Sequence, residues 1–456
     1  MRSWQVEEIC GLLGARSVGF APGAEFAGFS LDSRSVAPGS LFLAIEGANA
    51  DGHEFVPQAL EAGAVGTVAE RAVPGPNLLV DSLIDALARM ASCLRERFHG
   101  PVAAVTGSAG KTTTKEFLAA ALGGLGPLVK TTGNRNTEYT APLIWTEVGP
   151  ETAAVVVEMG MRGFGQIAHL CSFTRPVLGV VTNVGFSHMD LVGSQEGIAE
   201  AKGELLRALP SDGTAVLWRE DGFFEKLRGM TAARVVSFGF SDAADCVVSS
   251  YRAVSWTHSA IRGKCLGEEW SAEVGAAGEH IALDAAAAVA AAQALGVTAA
   301  EAARRLANAE LPPMRMQVLS FNGVTVVLDA YNASPASTVA SLEALGSLPC
   351  EGERLAVIGE MLELGHHAEA GHREVGRAVV AAGVRGAAFL GEGARWALEE
   401  CLAAGADPRR FQMAEGIEGV RTFLSNARAG DTVLIKGSRA LELERAVEGL
   451  GWIAGH

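Results

Sequence analysis

Short runs of consecutive apolar residues recur along the chain, and each run ends at a glycine or a polar residue. The clearest are PVAAVTG, ETAAVVVEMG and PVLGVVTNVG in the middle, and GVTVVLDAY, ERLAVIGEM, VRGAAFLG and DTVLIKGS further on. Continuous rather than alternating apolar positions are typical of strands buried on both faces of a parallel sheet. Segments with helical spacing lie between the runs, so the pattern predicts a doubly wound α/β architecture.

The same pattern predicts three domains. Residues 1–81 mix short apolar runs (SLFLAIEG, GAVGTVAE, NLLVD) with glycine and proline, which predicts a small α/β domain with short strands. Residues 82–312 form the predicted central domain, and residues 313–456 form a second α/β domain. The pair Pro312-Pro313 cannot continue a helix and is the predicted linker between these two.

Inside the central domain, the sequence predicts helices at both ends and a β-rich part between them. Leucine, methionine and alanine at helical spacing predict a first helix over residues 82–98. The stretch 214–274 is β-rich, and two more helices are predicted at 280–295 and 299–309. The alanine-rich run 285–294 is too short to span a membrane and predicts a buried helix of a soluble domain.

Composition narrows the class of protein. Hydrophobic residues make up 49% of the 456 residues and charged residues 20%, which excludes a disordered chain. The net charge of -15 argues against nucleic-acid binding, although locally placed cations still permit phosphate binding. The cysteines show no CxxC pair or zinc spacing and are predicted to be reduced thiols. Because the polar N-terminus lacks a signal-peptide pattern and no long apolar span occurs, the sequence predicts a soluble, cytoplasmic protein with no membrane contact.

The motif with the most specific chemistry is Thr106-Gly107-Ser108-Ala109-Gly110-Lys111-Thr112. A predicted buried strand leads into a glycine-bearing loop and then a helix, an arrangement that directs backbone N–H groups and the positive helix end at a phosphate. Lys111 is expected to reach the β- and γ-phosphates, and the Thr112 hydroxyl to bind Mg²⁺. The common pattern has glycine where this chain has Val105, so the loop is a shortened variant. A glycine turn that carries a lysine by chance is the alternative.

This shortened loop, with Lys115-Glu116 just after it, resembles that of the Mur ligase family. Further family motifs follow in order through all three predicted domains: Leu31-Asp32-Ser33-Arg34, Gly47 with Asp51-Gly52-His53, Gly133-Asn134-Arg135-Asn136, Glu158-Met159-Gly160-Met161-Arg162, Thr182-Asn183-Val184-Gly185 with His188, Ala201-Lys202-Gly203-Glu204, Asp329-Ala330-Tyr331-Asn332, Gly359-Glu360-Met361-Leu362-Glu363-Leu364-Gly365 and Lys436-Gly437-Ser438-Arg439. The resemblance implies an α/β protein of three domains: a small N-terminal UDP-binding domain, a central doubly wound ATPase domain and a C-terminal Rossmann-like domain.

The resemblance also implies an activity, an ATP-dependent ligase that forms an amide bond through an acyl phosphate. The last three motifs resemble those of the branch that adds D-alanyl-D-alanine to UDP-N-acetylmuramoyl-tripeptide in peptidoglycan synthesis. The expected requirements are ATP, two Mg²⁺ ions and these two small-molecule substrates, and relatives imply a monomer. Two alternatives are open, a sister amide ligase with another carboxylate and amine, and a nucleotide-binding regulatory protein without ligase chemistry.

Individual roles follow from the resemblance alone. The implied catalytic residues are Lys111, Glu158, His188 and Lys202, and the implied Mg²⁺ ligands are Thr112, Glu158, His188 and a carbamylated Lys202. The implied ATP-binding residues are Gly107, Ser108, Ala109, Gly110, Lys111, Thr112, Thr113, Asp284, Arg315, Asp329 and Asn332. The implied residues for the UDP precursor and the dipeptide are Ser33, Arg34, Gly47, Asn134, Asn136, Arg162, Lys436, Ser438 and Arg439.

Without the resemblance, most of these residues have an ordinary structural interpretation. Glu158 is compatible with an exposed strand end or a structural ion pair, because a carboxylate is costly to bury without a partner. Lys202 is compatible with a solvated lysine on a helix face, and His188 with a structural histidine. Asp329 is compatible with a turn-stabilising residue, and Lys436 with a strand-end turn.

Two segments depart from the family pattern. The family usually has asparagine at the positions of Ile281 and Asp284, on the helix that contacts adenine. An ionised Asp284 accepts hydrogen bonds but cannot donate them, so different adenine contacts are expected. The segment Thr137-Glu138-Tyr139 also differs from the family, in a loop that lies near substrate in relatives.

Overall fold

The computed structural model describes residues 3–47, 50–186, 189–448 and 453–454. Close contacts divide the chain into two compact units, which are taken separately below. The first comprises residues 1–104, 126–161 and 165–177, and the second comprises residues 105–125, 162–164 and 178–456. Within the described ranges, no helix has the length and apolarity needed to cross a membrane.

The N-terminal stretch is a small sheet with helices, as its apolar pattern predicts. Its elements are β1 (Trp4–Gln5), α1 (Val6–Leu13), β2 (Arg16–Val18), β3 (Glu25–Phe26), β4 (Phe29–Ser30), β5 (Leu41–Leu43), α2 (Val56–Glu61), β6 (Gly66–Ala69), β7 (Asn77–Leu79) and α3 (Leu83–Glu96). Five strands pair in the order β2-β7-β6-β5-β4, parallel except for β2. The Ser82 hydroxyl accepts a hydrogen bond from the Asp85 N–H and so caps α3, close to the predicted start.

The middle of the chain alternates strands and helices before a run of antiparallel strands. Its elements are β8 (Val102–Thr106), α4 (Lys111–Leu122), β9 (Leu128–Lys130), β10 (Ala154–Glu158), α5 (Gln166–Thr174), β11 (Leu178–Val181), α6 (Met189–Val192), α7 (Gln195–Arg207), β12 (Thr214–Trp218), α8 (Phe224–Arg228), β13 (Arg234–Gly239), β14 (Cys246–Ser255), β15 (His258–Cys265), β16 (Glu268–Val274), α9 (Glu279–Ala294) and α10 (Ala299–Arg305). In the first unit β9 and β10 are parallel. In the second, β11 to β14 are parallel neighbours, and β15 and β16 add antiparallel strands.

Helix α9 packs against α4, the helix that follows the glycine loop. Its run of alanines is fully buried, because small side chains allow the two helices and the neighbouring strands to approach closely. The predicted buried helix is thus confirmed. The next helix is shorter than expected, since α10 ends at Arg305 and a 3₁₀ turn (Leu306–Asn308) completes the predicted span.

The last stretch is a second α/β sheet. Its elements are β17 (Gln317–Phe321), β18 (Val324–Asp329), α11 (Pro335–Ser347), β19 (Arg354–Gly359), α12 (Ala368–Ala381), β20 (Gly386–Leu390), α13 (Ala394–Ala403), β21 (Phe411–Met413), α14 (Gly416–Ser425), β22 (Thr432–Lys436) and β23 (Ile453–Ala454). The strand order is β21-β20-β19-β22-β18-β17-β23, and the five strands from β21 to β18 are parallel. Separate apolar clusters cover the two faces of this sheet. Burial on both faces explains why these strands are continuous apolar runs in the sequence.

Candidate functional site

The glycine loop connects β8 to α4, which begins at Lys111. Gly107 has φ 153 and lies so close to Thr182 that a Cβ at this position would collide with Thr182 Oγ1. Gly110 has φ 78, in the left-handed region, and serves as the N-cap of α4. Glycine is therefore required at both positions, and Gly110 at the N-cap brings no side chain of its own to the N-terminus of α4, as a phosphate site needs.

The segment that follows β11 holds this loop in place. Thr182 Oγ1 donates to the Ala109 carbonyl at 2.5 Å. The Asn183 side chain bonds both sides of the same residue, accepting from the Ala109 N–H at 2.9 Å and donating to its carbonyl at 3.2 Å. Ser108 Oγ and the backbone of Gly185 add two more bonds, at 3.1 and 3.0 Å. The loop conformation thus depends on Thr182, Asn183 and Gly185. From the sequence, these residues were recognised only as part of a family motif.

Replacing Asn183 with alanine is expected to loosen the loop. The change removes both side-chain bonds to Ala109, each worth about 1 kcal/mol. Because a loop that samples other conformations binds phosphate less often, we expect the KM for ATP to rise by about tenfold while the protein stays folded. Steady-state kinetics at varied ATP will measure this. An unchanged KM in a variant with native circular dichroism would contradict it.

Lys111 and Lys202 are the two lysines of the site in the second unit. Lys111 Nζ bends back to the carbonyls of Gly107, at 2.8 Å, and Ser108, at 3.4 Å. Lys202 lies on α7 with only 2% of its surface exposed, so the expectation of a solvated lysine on a helix face is wrong. Burial, and secondarily the charge of Lys111, hold the pKa of Lys202 well below its usual range. A neutral amine is thereby favoured at this position.

Asp284 lies on α9 beside the first turn of α4. Thr114 Oγ1 donates to its Oδ1 at 2.9 Å, and a Cβ on Gly110 would collide with the same oxygen. Burial raises the pKa of Asp284 to about 8, although the Thr114 hydrogen bond and the charge of Arg315 act in the opposite direction. Burial thus favours the protonated carboxyl, which can donate a hydrogen bond as well as accept one.

Arg315 lies between two residues with left-handed backbone, Met314 at φ 60 and Met316 at φ 52. Such conformations are strained for side chains of this size, and they follow directly on the predicted linker Pro312-Pro313. The strained turn places the guanidinium over the ring of Tyr331, 4.1 Å from its centroid. Arg315 is thereby fixed in orientation and close enough to act on the charge of Asp284.

Asp329 and Lys436 form a nearly buried ion pair at the ends of β18 and β22. Lys436 Nζ lies 2.7 Å from Asp329 Oδ2 and also donates to the Asn332 carbonyl at 3.0 Å. Ser341 Oγ donates to Asp329 Oδ2 at 2.7 Å, and the Met316 N–H to its Oδ1 at 3.3 Å. Lys436 is therefore more than a simple strand-end turn, because its ammonium ties two parallel strands and the loop after β18 together.

Breaking this ion pair is expected to destabilise the protein. Lys436→Met leaves the Asp329 carboxylate almost buried without its cation, which costs about 3 kcal/mol of the free energy of unfolding. Urea denaturation followed by fluorescence will measure the shift in midpoint. The matched control is Arg409→Ala, which breaks an exposed pair with Asp407 and is expected to cost less than about 0.5 kcal/mol. Equal midpoints for Lys436→Met and the control would refute the assignment.

The loop after β19 is held by two side chains that sequence reasoning missed or assigned otherwise. His372 on α12 accepts the Met361 N–H on Nε2 at 2.9 Å and donates from Nδ1 to the Ala368 carbonyl at 2.7 Å. Ser438 Oγ accepts the Leu362 N–H at 2.9 Å. Burial lowers the pKa of His372, which keeps the neutral tautomer that these bonds require. The only sequence signal was a histidine on the buried face of the predicted helix after this loop.

In the first unit, the residues expected to bind the UDP precursor are partly engaged with their neighbours. Ser33 Oγ donates to Gln58 at 3.0 Å, and Arg34 forms a bidentate pair with Asp32. The Arg34 side chain is 81% exposed, and the hydrogen bonds from its guanidinium lower the pKa of Asp32 to about 2. The Gly47 N–H donates to the Ala50 carbonyl at 2.9 Å.

Glu158, also in the first unit, ends β10 and is 3% exposed, so it is not an exposed strand end. Asn136 Nδ2 donates to Glu158 Oε1 at 2.8 Å, and the Asn136 N–H donates to the Asn134 carbonyl at 2.8 Å. A Cβ on Gly160 would approach Asn136 to 3.0 Å. The GNRN loop and the strand end are therefore connected, and the amide of Asn136 orients the carboxylate.

The remaining predicted residues are placed as follows. Arg162 is exposed, and Arg439 forms an ion pair with Glu444. His188 lies outside the described residues. Within the described ranges, no group of three histidine, cysteine or acidic side chains is arranged to hold a metal ion.

The chain is similar to Mur ligases along most of its length. Residues 25–92 match the catalytic domain of the Mur ligase family, residues 105–292 the Mur ligase middle domain, and residues 314–439 the Mur ligase glutamate ligase domain. The UDP-N-acetylmuramoyl-tripeptide--D-alanyl-D-alanine ligase of Synechocystis is 36% identical, covering 92% of this chain and 90% of that protein. The ligase of the same name from Bacillus subtilis is 32% identical, with 93% of each covered.

Solved structures give the same result for the fold. The crystal structure of MurF from Acinetobacter baumannii superimposes with a TM-score of 0.86 at 27% identity and covers 99% of both chains. MurF from Thermotoga maritima, solved in complex with ADP, has a TM-score of 0.78 at 31% identity, covering 93% of this chain and 96% of that one. The expected three-domain α/β fold is thereby confirmed, while the exact predicted boundaries at residues 81 and 312 stay predictions.

Proposed function

This chain belongs to the Mur ligase family, and we propose that it joins D-alanyl-D-alanine to UDP-N-acetylmuramoyl-tripeptide with the hydrolysis of ATP to ADP and phosphate. The product is UDP-N-acetylmuramoyl-pentapeptide, a peptidoglycan precursor. The observation that carries this conclusion is the 36% identity to a ligase of that name over 92% of the chain, with an intact phosphate loop. The expected ATP-dependent ligase is thus confirmed over a nucleotide-binding protein without ligase chemistry.

The reaction requires activation because an amide does not form from a carboxylate and an amine in water. The γ-phosphoryl group of ATP passes to the terminal carboxylate of the tripeptide, with loss of ADP. The free amine of D-alanyl-D-alanine then attacks the acyl phosphate carbon, and phosphate leaves as the amide forms. Protein groups contribute to such a transfer mainly by positioning the reactants and neutralising phosphate oxygens.

The loop and Lys111 supply that positioning for ATP. The N–H groups of Gly110 and of the first turn of α4 surround the place where phosphates bind, and Lys111 already lies over the loop. We propose that on nucleotide binding Lys111 exchanges its bonds to the loop carbonyls for bonds to the β- and γ-phosphates. Ser108, Ala109, Thr112 and Thr113 complete this surface. Arg315 and Asn332 would reach the nucleotide from the last domain. Asp329 accepts the Met316 N–H next to Arg315, and its partner Lys436 donates to the Asn332 carbonyl.

The donors present fit Mg²⁺, which prefers hard oxygen ligands. Thr112 offers a hydroxyl at the start of α4, and Glu158 a nearly buried carboxylate oriented by Asn136. From the family resemblance, we propose each of these two, and also His188 and a modified Lys202, as a Mg²⁺ ligand. When bound, such ions neutralise charge on the transferring phosphoryl group.

The state of Lys202 supports its carbamylation. Carbon dioxide reacts with neutral amines, and burial of Lys202 beside Lys111 favours the neutral form. The resulting N-carboxylate is an anion and would pair with the nearby charge of Lys111. We propose that this modification converts a buried lysine, which is costly when charged, into a ligand for a cation.

The remaining predicted site residues are the candidates for binding the other two substrates. Ser33, Arg34 and Gly47 are proposed to contact the UDP moiety, and Asn134, Asn136 and Arg162 the tripeptide end. Ser438 and Arg439 are proposed to shape the dipeptide site, with Lys436 acting as their anchor rather than as a contact. We further propose that the enzyme works as a monomer in the cytoplasm, where its nucleotide substrates are made.

Phosphate release tests this function. Purified protein with ATP and Mg²⁺ is expected to release phosphate only when UDP-N-acetylmuramoyl-tripeptide and D-alanyl-D-alanine are both present. Replacing the dipeptide with L-glutamate or diaminopimelate, each supplied with the carboxylate substrate of the corresponding sister ligase, tests the sister-ligase alternatives. Phosphate release that requires one of those pairs instead would contradict the proposed substrates. Phosphate release without any amine substrate would indicate a simple ATPase rather than a ligase.

A further inference from the structure

The residue directly behind the phosphate loop, Asp284, is acidic, although the loop is proposed to bind anionic phosphates. Its side chain is 7% exposed, and Thr114 Oγ1 supplies a single hydrogen bond, 2.9 Å long. Gly110, the N-cap of α4, leaves no room for a side chain because a Cβ there would collide with the Asp284 carboxyl. A negative charge at this position would lie within the site that is built for phosphates.

The surroundings do not compensate such a charge. Among the residues that the structure describes, Asp284 has no ion-pair partner, and Arg315 acts on it while its guanidinium lies over Tyr331. The positive N-terminus of α4 stabilises a negative charge. This stabilisation is smaller than the free-energy cost of removing the hydration of a buried carboxylate. A single hydroxyl donor also stabilises the ionised form less than two or three backbone N–H donors would.

Other titratable groups lie near Asp284 on α9 and on the elements packed against it. His280, one turn earlier on α9, has its pKa lowered to about 4 by burial and is neutral. The thiol of Cys246, on the neighbouring β14, has its pKa raised by burial and stays protonated. On α4, Lys115 and Glu116 are paired with one another at 2.8 Å. The pKa of Asp284 itself is raised by burial to about 8, just above neutral pH.

We propose that the carboxyl of Asp284 must be neutral for a nucleoside triphosphate to bind at the loop. The inference deepens the proposed function and rests on its ATP binding. An ionised carboxyl would repel the polyphosphate, whereas a protonated one removes the repulsion and offers an O–H donor. A carboxylic acid also has nearly the shape of a carboxamide, so the departure from asparagine at this position preserves a neutral donor.

The direction in which pH changes ATP affinity follows from the protonation of Asp284. Below about pH 8, Asp284 is protonated in the free and in the nucleotide-bound protein, so binding takes up no proton. Above that pH the free protein is ionised, and each ATP that binds must bring one proton back. The Kd for ATP is then expected to rise by up to about tenfold for each further pH unit.

Isothermal titration calorimetry of Mg·ATP with the full chain, from about pH 7 to about pH 9.5, tests this. Each pH is measured in two buffers of different ionisation enthalpy, which counts the protons taken up. Asp284→Asn is the isosteric neutral variant, and its Kd should be independent of pH without proton uptake. Glu279→Gln, which removes an exposed acid from the same helix, is the matched control and should behave like the wild type.

The proposal is supported if the wild type takes up nearly one proton per bound ATP at the highest pH and only Asp284→Asn loses this uptake. A wild-type Kd that is flat with pH, or an equal slope in Asp284→Asn, would overturn it and leave the ligase function intact. If Asp284→Asn does not fold, the wild-type proton count alone decides. Failure of the wild type to bind ATP at about pH 7 would instead overturn the proposed function together with this inference.

Discussion

Lys111→Ala is expected to lower kcat/KM for ligation by about 10³-fold. Lys111 is the cation that lies over the phosphate loop, with its Nζ 2.8 Å from the Gly107 carbonyl. Charge on the γ-phosphoryl group is greatest as it transfers, so the loss should fall on kcat as well as on ATP affinity. Steady-state assays of phosphate release, at saturating and at limiting ATP, separate the two effects.

The matched control for Lys111 is Lys264→Ala, at an exposed lysine of β15 remote in sequence from the loop. That variant is expected to retain wild-type kinetics. If Lys111→Ala raised the KM for ATP without lowering kcat, Lys111 would be a binding residue only, and its proposed action on the transferring group would be wrong.

Lys202→Ala is expected to lower kcat by about 10²- to 10³-fold, because it removes the group that is proposed to become an anion. Acetate or propionate should restore part of the activity by placing a carboxylate in the cavity that the truncated side chain leaves. Lys202→Arg should remain inactive, since a guanidinium keeps the positive charge. Carbon dioxide depletion should inactivate the wild type reversibly, and labelled bicarbonate should give a carbamate signal in ¹³C NMR.

Lys226→Ala is the matched control for Lys202. Lys226 lies on α8 and pairs with Glu200, which is two residues before Lys202, but its side chain is far more exposed. Wild-type kinetics are expected for this variant. If Lys202→Ala were as active as the control, or if no carbamate formed during turnover, Lys202 would be a structural lysine whose low pKa has no part in catalysis.

The fold was largely predictable from the sequence because its central strands are buried on both faces. Burial of that kind produces continuous apolar runs such as those of β10 and β19, which have few competing interpretations. Two-residue strands such as β1 and β3 could not be predicted. They carry no periodicity, and their pairing is set by neighbours distant in the chain.

The phosphate loop was predictable for a different reason, since its chemistry is local. Strand, glycines, lysine and helix are consecutive in sequence, and the structure places them as expected. The burial of Lys202 was not predictable, because the sequence around it has the polar character of a surface helix. Its environment comes from other elements that pack on α7, and no local pattern records them.

Long-range pairing was also beyond the sequence. Lys436 and Asp329 are separated by 107 positions, and each has an ordinary local interpretation at a strand end. Their ion pair appears only when β18 and β22 become parallel neighbours. The protonation of Asp284 is similar, since it depends on burial against α4 and on a hydroxyl 170 positions away.

Product identification tests the central claim most directly. Purified protein is incubated with ATP, Mg²⁺ and UDP-N-acetylmuramoyl-tripeptide in an equimolar mixture of D-alanyl-D-alanine, L-glutamate and diaminopimelate, and the nucleotide-linked products are identified by mass spectrometry. The account predicts a single product, UDP-N-acetylmuramoyl-pentapeptide, formed in equal amount to ADP and absent with Lys111→Ala. A product that contains one of the other amines, or ADP formed without any ligated product, would contradict it.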